Sequence, residues 1–129
     1  MKPQGSSCWM TEERDENVRQ VYNRILADKG FSVSKEEIYH LVAQSRASRF
    51  WVVPSHAKKT LYKMMYGRTI ANQDPIRRRM YSEILRRVTE YMRTHRHTTF
   101  SHAVYYVVSQ PAPEFYLSPS TIKRIILHS

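Results

Sequence analysis

The chain has 129 residues, 41% of them hydrophobic, with nine Tyr, four Phe and two Trp, and a formal net charge of +10. This length suits one domain or two small units, and the apolar content is too high for wholesale disorder. The single cysteine, Cys8, excludes an intramolecular disulfide and points to a reducing, cytoplasmic compartment, and neither a signal-peptide apolar run nor a membrane-spanning stretch of about 18 apolar residues occurs.

Residues 1–10 read as a flexible tail. From Glu12 to Lys29, Val18, Val21, Tyr22, Ile25 and Leu26 fall on one face at helical spacing, and Gly30 suits the stop. Ser34 followed by Glu37 is a capping box, after which Ile38, Leu41 and Val42 form the apolar stripe of a second helix. Phe50-Trp-Val-Val is too short for a helix and rich in strand formers, which predicts a short extended segment. Pro54 then opens a third helix with Ala57, Leu61, Met64 and Met65 inward, and Gly67 closes it.

Residues 68–75 read as a linker. Asp74-Pro75 starts a long helix with Ile76, Met80, Ile84, Val88 and Tyr91 inward. A helix near Thr99 follows, burying Phe100, Ala103, Val104, Val107 and Val108, and Pro111 and Pro113 break it. Phe115-Tyr-Leu is a second extended segment, and Ser118-Pro119 opens the last helix with Ile122, Ile125 and Ile126 inward.

Slid along itself by 65 residues, Leu41–Lys59 falls on Tyr106–Arg124 without a gap. The identical pairs are Val42/Val107, Ala47/Ala112, Phe50/Phe115, Pro54/Pro119, Ser55/Ser120 and Lys58/Lys123. Such self-similarity predicts a mainly α fold of two tandem helix, helix, short strand, helix units, over 11–67 and 76–129, packed as one body. A duplicated unit mimics a dimer, so a monomer is expected.

Charge is unevenly placed: residues 1–30 carry five basic and five acidic side chains, residues 31–129 sixteen and six. An excess of this size attracts polyanions and makes nucleic acid the leading partner, with an acidic protein partner as the other class. The acidic run Glu12, Glu13, Asp15 and Glu16 is explained by the dipole at the start of the first helix.

The third helix of each unit carries hydroxyl and cationic residues outward: Ser55, His56, Lys58, Lys59 and Lys63 in the first, Ser120, Thr121, Lys123 and Arg124 in the second. Hydroxyls and helix N-termini contact phosphates, and Lys and Arg contact both phosphates and base edges. Arg79, Arg86 and Arg93 recur every seven residues on the long helix as a second candidate stripe, with Glu83 and Glu90 placed to pair with part of it. Trp51 and Tyr116 occupy equivalent places and suit either core filling between the units or stacking on unpaired bases.

The stretch Phe115 to Ile126 resembles the end of helix-turn-helix domains, in which a Ser- or Thr-rich start opens a helix bearing two adjacent cations. The connection Arg46 to Val53 is longer than the turn of that family. The chain is also similar to small basic proteins of uncharacterised function from Bacteroidetes genomes and their mobile elements, through the Ala-Pro-x-Phe-Tyr-x-Ser phrase at Ala112 to Ser118, from which Ser48 and Val53 depart in the first unit. That second resemblance implies no activity. The first implies DNA recognition through the third helices.

No catalytic site, metal site or cofactor is expected. His95, His97 and His102 cluster without a cysteine or carboxylate beside them in sequence, Cys8 lacks a partner base, and no glycine-rich phosphate loop or acid–base pair occurs. The sequence therefore points to a non-enzymatic, sequence-specific or architectural DNA-binding protein. The alternatives are an RNA- or ribosome-associated accessory protein and a regulator docking an acidic partner.

Overall fold

Six helices are placed by a computed structural model that describes residues 5–67 and 74–128. They are α1 (Gly5–Lys29), α2 (Lys35–Ala43), α3 (Pro54–Met65), α4 (Pro75–Thr94), α5 (Phe100–Val108) and α6 (Pro119–Leu127). The fold is mainly α, as the periodicities predict. Four of the helices start on a residue whose side chain accepts an otherwise unpaired amide: Ser34 from Glu37, Asp74 from Arg77, Thr99 from His102 and Ser118 from Thr121. Gly67, at φ +69, ends α3 in the left-handed conformation that glycine adopts without strain.

Element bounds recur at the 65-residue offset found in the sequence. Lys29 and Thr94 end α1 and α4, Lys35 and Phe100 open α2 and α5, Ala43 and Val108 end them, and Pro54 and Pro119 open α3 and α6. The residues that follow α2 and α5 have nearly the same backbone, φ −88 and ψ −5 at Gln44, φ −83 and ψ −7 at Ser109.

The packing groups these helices differently from the sequence order. Residues Met1–Trp51 and Pro111–Ser129 form one unit, and Val52–Gln110 form another. Thus α6 packs on α1 and α2 from the other end of the chain, whereas α3 packs on α4 and α5, the helices that follow it. The expected units over 11–67 and 76–129 are accordingly not the packing units: α3 is grouped with α4 and α5, and α6 with α1 and α2. Helical periodicity states that a face must be covered and does not state by which helix.

In the α1–α2–α6 unit the core is built from Met10, Val18, Val21, Ile38, Val42, Ile122 and Ile125, with Tyr22 and Tyr39 stacked 6.0 Å apart. Two expectations fail here. The helix α1 begins at Gly5 rather than Glu12, and Met10 is buried, so the tail read over 1–10 is helical from Gly5 onward; residues 1–4 lie outside the described ones. Consequently Glu12, Glu13, Asp15 and Glu16 sit beyond the first turn and do not cap a dipole; Asp15 pairs with Arg14 and Glu16 with Arg19.

The two extended segments form no named strand among the described residues. A single antiparallel bridge takes their place, in which Ala47 and Ala112 each donate an amide to the other's carbonyl at 3.0 Å. Both alanines are 1% exposed, and Phe50 and Phe115, three residues further on, are buried. Asn17 of α1 anchors the first connection: its Oδ1 accepts from the Ser48 amide (2.9 Å), the Ser48 hydroxyl (3.0 Å) and the Trp51 indole (3.2 Å).

In the α3–α4–α5 unit, Ala57 and Leu61 meet Met80, Ile84 and Val88 of α4 and Ala103, Val104, Val107 and Val108 of α5 in a buried core. Tyr81 is buried there too, and its hydroxyl has no partner among the described residues. The linker read over 68–75 falls largely on residues 68–73, outside the described ones.

Two outcomes are expected. A fragment of residues 52–110 contains all three helices of its unit and should melt cooperatively by far-UV circular dichroism, since domains of about 60 residues fold alone. A fragment of residues 11–67 should not; a cooperative melt there would mean that α3 closes on α1 and α2. Removing the orphaned hydroxyl by Tyr81→Phe should leave the chain equally stable or up to about 1 kcal/mol more stable in thermal unfolding, and a loss of 1 kcal/mol or more would mean that the hydroxyl has a partner.

Candidate nucleic-acid interface

Helix α3 turns Ala57, Thr60 and Leu61 inward, so positions 55, 58, 59, 62, 63 and 66 lie on its outer side at spacings of three and four. Along this side runs an open recess of about 450 Å³ lined by Ser55, Lys58, Lys59, Tyr62, Lys63 and Tyr66. Four of the five residues that sequence singles out on this helix line it; the fifth, His56, is exposed beside it.

The lysines are not equivalent. Lys58 is half-buried and its Nζ donates to Ser101 Oγ of α5, whereas Lys59 and Lys63 are exposed and in no ion pair among the described residues. No side chain caps α3, because Val53 stands at its N-cap and Pro54 at its first turn.

Tyr62 and Tyr66 are the part of the recess that sequence reading passes over. They are 40% and 72% exposed, with rings 6.3 Å apart and inclined by 11°. Phe100 supports Tyr62 with its ring centroid at 4.8 Å. A signal was available: both tyrosines lie off the Ala57–Leu61 stripe, on the lysine side of the helix, where core packing gives an aromatic no reason to be.

On α6, in the other unit, Ser120, Lys123 and Arg124 are exposed and Thr121 half-buried. The Ser118 hydroxyl lies 3.0 Å from the hydroxyls of both Ser120 and Thr121. Lys123 approaches Glu36 of α2 at 3.8 Å with both side chains largely in solvent, a pair worth less than about 1 kcal/mol. Arg124 is in no ion pair among the described residues. At the 65-residue offset Leu127 and His128 stand where α3 has Tyr62 and Lys63.

The arginine stripe on α4 is exposed and partly engaged. Glu83 accepts from Arg86 and Arg87, both at 2.7 Å, and Glu90 accepts from Arg93 at 2.5 Å, so two of its three members face a glutamate one turn away. The bond from Arg86, reinforced by Arg87, holds the Glu83 carboxyl below its ordinary pKa against the opposing effect of partial burial. Arg79, the third member, is exposed.

Trp51 and Tyr116, the sequence candidates for stacking, are half-buried and engaged. The Trp51 indole is bonded to Asn17 and lies 5.6 Å from the Arg49 guanidinium; Tyr116 stacks on Phe50 at 6.0 Å, with its backbone at φ 58. His95 stacks on Tyr91 at 4.0 Å, with His102 at 6.3 Å from the same ring, and no group of three metal-ligating side chains occurs among the described residues. No described helix is long and apolar enough to cross a membrane. Compared with known proteins, the chain matches no family model, no curated protein and no solved structure.

The Glu83 pairs have a measurable signature. A carboxyl whose folded pKa is depressed contributes stability that is present above its unfolded pKa and lost as pH falls through the folded value. Glu83→Gln should therefore lower stability at neutral pH by up to about 1 kcal/mol, and the difference from wild type should vanish in strong acid. An undiminished difference in acid would show that the ion pairs are not its source.

Proposed function

We propose that the chain is a non-enzymatic nucleic-acid-binding protein that engages DNA through the outward faces of α3 and α6. The observation that carries this reading is the repetition of one recognition surface. Each helix opens on proline, follows with an exposed serine, and sets two adjacent cations at matching positions, Lys58-Lys59 and Lys123-Arg124. Serine hydroxyls, N-terminal amides and cations together suit phosphate oxygens, and in a net-positive chain they sit in a favourable field.

The helix-turn-helix version of this idea does not carry over. In such domains consecutive helices pack across a short turn, whereas α2 and α3 here belong to different packing units and are joined by ten residues, Gln44 to Val53. The cationic third helices stand without it. The α4 stripe adds phosphate-tracking charge, because exposed pairs such as Arg86–Glu83 and Arg93–Glu90 hold their cations too weakly to withhold them from a polyanion.

Anisotropy of a labelled DNA duplex, titrated at several salt concentrations, tests this. Affinity should fall log-linearly with salt. Lys59→Ala with Arg124→Ala removes one unpaired cation from each helix, and should weaken binding about tenfold or more at low salt and flatten the slope by about two. Unchanged affinity in this variant would remove α3 and α6 from the interface. Failure of wild type to bind any nucleic acid at low salt would transfer the basic surface to an acidic protein partner.

A further inference from the structure

The exposed faces of α3 and α6 share their cations and differ in their aromatics. On α3 the outer side resolves into two neighbouring rows at intervals of four residues, Ser55–Lys59–Lys63 and Lys58–Tyr62–Tyr66. The first row offers a hydroxyl and two exposed ammonium groups in line. The second offers two nearly parallel rings one turn apart, the inner one backed by Phe100. On α6 the second row ends in Leu127, 64% exposed, where the first ring would stand.

We propose that the outer face of α3 binds a single DNA strand, with unpaired bases stacked on Tyr62 and Tyr66 and the adjoining phosphates held by Lys59 and Lys63. This rests on the nucleic-acid reading above and narrows it. A phosphate row beside an aromatic row is what a single strand requires, because its backbone carries charge and its bases expose their π-faces. Duplex bases are already stacked on their neighbours, and reaching them would cost unstacking. An acidic peptide would satisfy the lysines and leave both rings in water. The choice of DNA follows the reading above, since the hydroxyls and ammonium groups of the lining can bond a ribose as well as bypass a deoxyribose, and the strand type is what the probes decide.

Lys58 has a different part in the face. Its ammonium is committed to Ser101, which fixes α3 on α5 next to the Phe100–Tyr62 contact. The base row therefore sits on a braced surface, and the phosphate row on exposed side chains.

The test uses the full chain and three probes of equal length: oligo-dT, oligo-rU and a DNA duplex. Tyr62→Leu with Tyr66→Leu gives α3 the residue that α6 carries at Leu127 and keeps an apolar contact for Phe100. It should weaken oligo-dT binding roughly tenfold or more and leave duplex binding within about twofold. Tyr66→Leu alone changes only a largely exposed ring and should show the same selective loss in smaller measure, which keeps the result readable if the double variant misfolds. Wild type should bind oligo-rU no more tightly than oligo-dT.

Equal losses for single strand and duplex, or no loss at all, would overturn the stacking site while leaving the general nucleic-acid reading intact. Tighter binding of oligo-rU would overturn the assignment to DNA. If wild type bound none of the three probes and instead bound poly-glutamate, both readings would fall together.

Discussion

The reciprocal backbone bond between Ala47 and Ala112 is the constraint that joins the two chain segments of the α1–α2–α6 unit. Two residues that occupy the same place in the repeated sequence donate to and accept from each other, and both are sealed from solvent. Their connections lead, seven residues on, into α3 and α6. Side chains at such a pair must be small where backbones approach and packing is tight, and alanine meets that demand on both sides. Asn17 secures one connection further by gathering three donors on a single carbonyl oxygen, and the Phe115 amide secures the other by donating to Ala43.

Electrostatics contribute little to the fold. Ion pairs within α1 and α4 are mostly one-turn contacts at the surface, worth a few tenths of a kcal/mol each, and the cores are apolar. The basic excess therefore contributes little to holding the helices together and can be spent on a ligand. Within that excess the third helices differ in kind. On α6 the hydroxyls of Ser118, Ser120 and Thr121 associate with one another at its N-terminus, whereas α3 starts without a side-chain cap and continues into lysines and tyrosines.

Much of this was legible in the sequence because capping chemistry is local. Ser34, Asp74, Thr99 and Ser118 start helices for reasons contained within four residues. Inward faces were legible for the same reason, and Val18, Ile38, Leu61, Ile84, Val104 and Ile122 are all buried, but Met65, read as inward at the last turn of α3, is 54% exposed because the core ends before it. The start of α1 was not, because Gly5, Ser6 and Ser7 carry the composition of a tail although Met10 extends the buried face. The short strands were over-read: Phe50 and Phe115 are strand formers by type, but each is a core side chain in an irregular connection. The grouping of α3 with α4 and α5 lies beyond sequence, since an amphipathic helix encodes that it needs a partner and not which one. Of the candidate interface, the cations were found by charge and spacing, while Tyr62 and Tyr66 were missed because aromatic residues are first assigned to cores.

The connectivity has a further consequence for how the chain matures. The unit formed by α3, α4 and α5 is continuous in sequence and falls, along the chain, between the two segments of the other, of whose helices α1 and α2 are made before it and α6 after it. During synthesis the middle unit is complete as soon as α5 has emerged, at a time when α1 and α2 still lack the helix that covers Val18, Ile38 and Val42. This connectivity lets the middle unit close before the other, so that among the six helices the apolar faces of α1 and α2 wait longest for their cover.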